Sequence, residues 1–273
     1  MRRRHLRADA RLSLGHHREE EADRVDAFLQ QALGEALREA LGHSGFWLLT
    51  IGFFVCGFQV VFVGVHLPAY VADMVTLLAR LDAERVDWVG TSMGGLIGLG
   101  LASLPNSPVQ KLVLNDVGPV IQWSSLQRIG TYLGRSASFD DLQQAADAMW
   151  AISSSFGPHT PAQWLELSRN MVKTLPDGKV GLHYDPAIAI PFRAVTEELA
   201  LAGQAQLWQL YDAITADTLL LRGADSDLLS PETAQAMTQR GPQARLVEFA
   251  GVGHAPTLIA QDQQDAVTSF LLG

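Results

Sequence analysis

Arg85 to Leu104 reads RVDWVGTSMGGLIGLGLASL. RVDWVG is a short apolar run closed by Gly90, the pattern of a strand. GGLIGLGLASL is small and aliphatic throughout, the pattern of a buried helix. Between them lies Gly90-Thr91-Ser92-Met93-Gly94. A bare G-x-S-x-G is a weak signal, because small residues cluster in many turns. Strand, sharp turn and helix around it make the context that exposes a serine on a strained bend as a nucleophile. Gly90 and Gly94 are expected to leave room where backbone segments crowd that serine, and Gly95 and Gly98 to let the helix approach the sheet. The helix start also aims its amides at any anion formed near Ser92.

Outward from this stretch, strand and helix alternate. VQKLVLNDVG, DTLLLRG and ARLVEFAG read as further buried strands. AYVADMVTLLARL, PETAQAMTQR and QDQQDAVTSFLL read as helices. The alternation predicts an α/β fold: a mainly parallel sheet with right-handed crossovers and helices on both faces. Between Pro119 and Ala216 it stops. Four helical patterns fill that stretch, which carries Trp123, Trp150, Trp164 and Trp208. An all-helical insertion at this point predicts a cap, or lid, over the sheet edge where open α/β sheets bind ligands. The expected organisation is a core over 45–118 and 217–273, a helical cap over 119–216 and a polar, partly helical arm over 1–44.

A serine hydroxyl needs a base to take its proton as it attacks. His254, in the glycine-rich loop GVGHAPTL after the last strand, is the expected base. His5, His16 and His17 lie in the terminal arm, and His159 and His183 in the insertion. The base needs a carboxylate to hold its tautomer. The segment after the next-to-last strand, LLLRGADSDLLSPE, offers Asp225 and Asp227; Asp227, followed by Leu228 and Leu229, is preferred. Asp116, at the end of VQKLVLND, is a third candidate, because an acid can also reach the site from that strand end.

GTSMGGLIG, LVLNDVGP, LLLRGADSDLLSPE and GVGHAPTL, in this order, resemble the α/β-hydrolase fold superfamily, in particular its bacterial esterase-like members with a helical cap. The resemblance runs from about Pro68 to the C-terminus. It implies Ser92 as nucleophile, His254 as base, Asp227 as acid, and the Met93 backbone N–H as one oxyanion donor. The implied activity is serine hydrolysis of a carboxylic ester or related acyl compound through an acyl-enzyme. Hydrolysis of a C–C bond by the same triad is the alternative, as is a binding protein impaired by an incomplete oxyanion hole. Members of the superfamily normally carry a His-Gly motif after an early strand, supplying the second oxyanion amide. LSLGHH (Leu12 to His17) and Gly42-His43-Ser44-Gly45 only approximate it, so the second donor is unassigned.

Composition narrows the partners. The 273 residues carry 20 Lys+Arg against 29 Asp+Glu, a net charge of −9 that would repel a phosphate backbone, so no nucleic acid is expected. The expected partner is a small, partly apolar, ester-like molecule. No cofactor is expected, since the triad chemistry needs none and no G-x-G-x-x-G or P-loop follows a strand. No metal is expected either: His16-His17 beside Glu19–Glu21 lacks zinc-motif spacing. The single cysteine, Cys56, cannot close an internal disulfide and points to a reducing compartment, hence the cytoplasm.

Phe46 to Val65, FWLLTIGFFVCGFQVVFVGV, contains no charge. About twenty such residues can cross a bilayer, so membrane anchoring through this run is the alternative location. Its Phe, Val and Ile content suits two buried strands, FWLLTIGFF and FQVVFVGV, broken near Cys56-Gly57, which is the preferred reading. A carbonate wash of fractionated cells is therefore expected to release the full-length protein. Retention in the membrane fraction, with a version starting near Pro68 becoming soluble and folded, would identify the run as an anchor.

Overall fold

The computed structural model describes residues 67–192 and 196–273. Four strands, β1 (Val86–Thr91), β2 (Val109–Asn115), β6 (Asp217–Gly223) and β7 (Arg245–Phe249), form one sheet in the order β1-β2-β6-β7. Every pairing in it is parallel, with Val89 beside Val113 and Val113 beside Leu219. Successive side chains of a strand face opposite sides, and β2 shows why both faces are apolar. Leu112 and Leu114 join Leu220 in one core, whereas Val113 joins Leu219 and Leu221 in another.

Helices cover both faces. The larger core takes Leu67 and Val71 from α1 (Leu67–Arg80), Leu96, Leu99 and Leu101 from α2 (Met93–Ala102), and Met237 from α7 (Pro231–Met237). The second is closed by Val267 and Phe270 of α8 (Gln261–Leu272). The α/β architecture expected from the alternation is the observed one.

The glycines around Ser92 set how closely α2 lies on the sheet. A Cβ at Gly90 would come within 2.3 Å of the Gly94 carbonyl oxygen and 2.5 Å of the Gly95 nitrogen. One at Gly95 would meet Val117 at 2.4 Å, and one at Gly98 the Trp88 indole at 2.3 Å. Gly94 departs from expectation: among the described residues, a Cβ there would meet nothing within 4 Å. Its carbonyl matters instead, accepting a hydrogen bond from Trp88 Nε1 at 2.9 Å.

The insertion between β2 and β6 is not all helical. It holds α3 (Trp123–Gly130), α4 (Leu142–Ser153), α5 (Pro161–Arg169) and α6 (Glu197–Asp212), with a single helical turn at Ala189–Phe192. It also holds β3 (Ser138–Phe139), β4 (Val172–Thr174) and β5 (Val180–Leu182), an antiparallel sheet in the order β3-β5-β4. Strands of two or three residues are too short to show periodicity, which is why sequence reading misses them. The β4–β5 hairpin turns through Pro176-Asp177-Gly178, with Gly178 at φ +81°. Helix starts in the insertion are well signalled. Asp141 caps α4, and Thr160 with Gln163 forms a capping box before Pro161 on α5. The insertion has its own core of Ala145, Ala146, Met149, Trp164 and Met171.

Among the described residues no helix is long and apolar enough to cross a membrane. The apolar run Phe46–Val65, the arm 1–44 and both approximate His-Gly stretches lie outside the described residues.

Gly90→Ala would drive a methyl into three backbone atoms that no rotamer change can clear. The substitution is expected to destabilise the protein by at least about 3 kcal/mol, read as a fall in the urea unfolding midpoint.

Candidate active site

β1 and β2 end in register, Thr91 beside Asn115, and β6 runs two residues beyond Leu221, the partner of Asn115, to Gly223. The residues after the first two ends are Ser92 and Asp116. Both have positive φ, 50° and 56°, and both are fully buried. Ser92 has ψ −114° at the N-cap of α2, the sharp strand-to-helix bend that the G-x-S-x-G spacing predicts. Its amide donates to the Asn115 carbonyl at 3.0 Å, and its carbonyl accepts from the amides of Gly95 and Leu96. A non-glycine residue held at such a φ costs about 1–3 kcal/mol, and the packing of α2 against β1 and β2 sustains it. Aspartate tolerates the left-handed region better than most residues, which suits Asp116 to its turn.

His254 follows β7 in a loop that Gly251 turns at φ +70°. Gly223, at the end of β6, has no side chain where the Val252 and Gly253 carbonyls approach within 2.4 Å of a Cβ position. The loop therefore closes over the sheet edge and buries the imidazole, which is 3% exposed. His254 Nε2 lies 3.0 Å from Ser92 Oγ, and His254 Nδ1 lies 2.7 Å from Asp116 Oδ2.

The structure places Asp116, and not the expected Asp227, beside the His254 ring. Asp116, the third candidate in the sequence, is the carboxylate against the ring. Its Oδ1 accepts the Gly223 amide at 2.9 Å, and its Oδ2 accepts the Ser226 hydroxyl at 2.6 Å as well as the His254 contact. Asp227 turns outward instead. Its carboxylate takes both Arg128 Nε and Nη2, at 2.7 and 3.0 Å, with the two side chains 39% and 46% exposed. Asp225 is exposed, and its amide donates to the Val252 carbonyl at 2.9 Å, a turn role. The physical reason is a local alternation after β6: residues 225 and 227 face outward, and the serine between them faces the buried pair.

Asn115 was not singled out by the sequence. Its side-chain amide donates to Thr91 Oγ1 at 2.9 Å and to the Pro256 carbonyl at 2.8 Å, so one buried group ties the Ser92 bend to the His254 loop. The only available signal was a polar residue closing the apolar run Leu112–Leu114 of β2. His159 is held by the Gly157 carbonyl and Thr257 Oγ1 and packs edge-on to Trp150 and Trp164; His183 is exposed. Among the described residues no cluster of His, Cys, Asp or Glu is arranged to hold a metal ion.

As first residue of α2, Met93 presents its amide ahead of the intrahelical ladder. The site thus combines a hydroxyl, an imidazole within hydrogen-bonding reach of it, a carboxylate on the far ring nitrogen and a helix N-terminus. That set can support nucleophilic attack on a carbonyl.

Comparison with known proteins agrees with the fold. Residues 61–269 match the alpha/beta hydrolase family. A 3-hydroxybutyrate-oligomer hydrolase from Cupriavidus necator is 50% identical over 213 residues, spanning 77% of this chain and 73% of that protein. The crystal structure of an alpha/beta hydrolase from Novosphingobium aromaticivorans superposes with a TM-score of 0.66 at 35% identity, covering 74% of this chain and 70% of the other. An esterase from Mycobacterium tuberculosis shares the fold, with a TM-score of 0.55, 23% identity and coverage of 74% and 66%. The chain belongs to the alpha/beta hydrolase family. It is an esterase-like hydrolase.

Because the Asp227–Arg128 pair is solvent-exposed, Asp227→Asn is expected to cost no more than about 1 kcal/mol in urea unfolding. Steady-state kcat is expected to stay within about twofold of the parent. A loss of several orders of magnitude would return the acid role to Asp227.

Proposed function

We propose that the protein hydrolyses carboxylic esters through an acyl-enzyme on Ser92. The observation that carries the reading is the continuous buried contact chain from Ser92 Oγ through both ring nitrogens of His254 to Asp116. His254 Nε2 takes the Ser92 proton as Oγ bonds to the ester carbonyl carbon. The resulting oxyanion is held by the Met93 amide at the start of α2. Collapse breaks the bond to the leaving oxygen, which receives the proton from His254 and departs as the alcohol. Water, activated by the same ring, then attacks the acyl carbon and releases the acid and free Ser92. Asp116 keeps the proton on Nδ1 and stabilises the imidazolium formed in each half-reaction. Preorganised donors at the oxyanion are worth roughly 3–4 kcal/mol each, so the Met93 amide is a substantial part of the rate.

The relative from Cupriavidus necator supports a substrate class: short ester oligomers of 3-hydroxybutyrate, small and partly apolar. In this reading the insertion 119–216 acts as a cap over the site. It reaches the site loops directly, since the Ser155 carbonyl accepts the Gly253 amide and Ser125 Oγ donates to the Asp227 carbonyl.

A fluorophosphonate is expected to label Ser92, and Ser92→Ala to abolish both labelling and hydrolysis. Asp116→Asn is expected to lower kcat on the order of 10⁴-fold while leaving the fold intact by circular dichroism. The 3-hydroxybutyrate dimer is expected to be cleaved to monomer, followed chromatographically. Labelling that persists in Ser92→Ala overturns the nucleophile. Cleavage of p-nitrophenyl butyrate with an untouched dimer overturns the substrate class.

A further inference from the structure

Two strand ends face the far side of His254. Asp116 comes from the end of β2, and Ser226 from the segment after β6. Ser226 Oγ donates to Asp116 Oδ2 at 2.6 Å, the same oxygen that lies 2.7 Å from His254 Nδ1. The hydroxyl oxygen therefore lies no more than 5.3 Å from the ring nitrogen. Its own lone pairs accept the amides of Leu228 and Leu229, both at 3.2 Å, which fixes its donor direction toward the carboxylate. Leu228 and Leu229 are fully buried and belong to the larger core, so the hydroxyl is anchored to rigid structure.

We propose that Ser226 is a positioning residue for the reaction. It acts through Asp116: with its other oxygen on the Gly223 amide, the carboxylate is fixed at both ends and presents Oδ2 to Nδ1 in one orientation. This inference rests on the Ser92–His254–Asp116 reading given above.

The test compares variants on p-nitrophenyl butyrate. Ser226→Ala is expected to lower kcat about tenfold with KM within twofold, and Ser226→Thr, which keeps the hydroxyl, to restore kcat to within about twofold of the parent. A purely structural serine would lower the unfolding midpoint without this kcat-specific loss. Parental kcat in Ser226→Ala, alongside a crippled Asp116→Asn, overturns the role of Ser226 while leaving the triad standing. Parental kcat in Asp116→Asn overturns the triad itself. If Ser226→Ala does not fold, Ser226→Cys, which keeps the side-chain shape but weakens the donor, decides, and parental kcat in that variant overturns the proposal.

Discussion

The contact between Asp116 Oδ2 and His254 Nδ1 is buried on both sides, with the two side chains 0% and 1% exposed. Polar groups in such a place are expensive unless every one is satisfied. Satisfying these requires Gly223 and Ser226 from the end of β6, the His254 loop after β7, and Asp116 itself from β2. Three connections, spread over the 138 residues from Asp116 to His254, must therefore meet over one sheet edge. Their meeting place is also where Ser92 is delivered by β1, so the same constraint that satisfies the buried carboxylate assembles the reactive set.

That convergence depends on how the backbone packs beneath it. Parallel strands place their ends side by side, and glycines at 90, 95 and 98 let α2 lie against β1 and β2 at a distance no side chain would allow. Ser92 and Asp116 both occupy positive φ, a local cost that the two apolar cores above and below the sheet outweigh. Asn115 adds a polar tie between the Ser92 bend and the segment after His254. The rigidity of the site comes from the sheet, and its chemistry from the loops that the sheet edge holds.

The insertion 119–216 is bound to this edge by contacts of a different kind. It has a separate core around Trp164, whose indole donates to the Ala146 carbonyl. It meets the loops after β6 and β7 through the Ser155 carbonyl, Ser125 and the Arg128–Asp227 pair. An exposed ion pair contributes little to stability. Its visible consequence is that Asp227, nominally well placed to serve His254, is engaged with the insertion.

The sequence by itself determined the alternation of strand and helix, the Gly90–Gly94 bend with Ser92 at its apex, and His254 as the histidine after the last strand. Each is legible because it depends on local periodicity, on glycines at fixed offsets or on chain order. Local pattern is blind to two- and three-residue strands, so β3, β4 and β5 emerged only from tertiary pairing. The identity of the carboxylate was likewise decided by tertiary structure. Asp116, Asp225 and Asp227 all follow strands that end at the same edge, and composition cannot say which side chain turns inward. The positive φ at Asp116, the amide of Gly223 and the Arg128 contact of Asp227 accompany a placement with Asp116 against the ring and Asp227 turned away. These are relations between residues far apart in the chain, and hydrogen-bond satisfaction in a buried site selects among them.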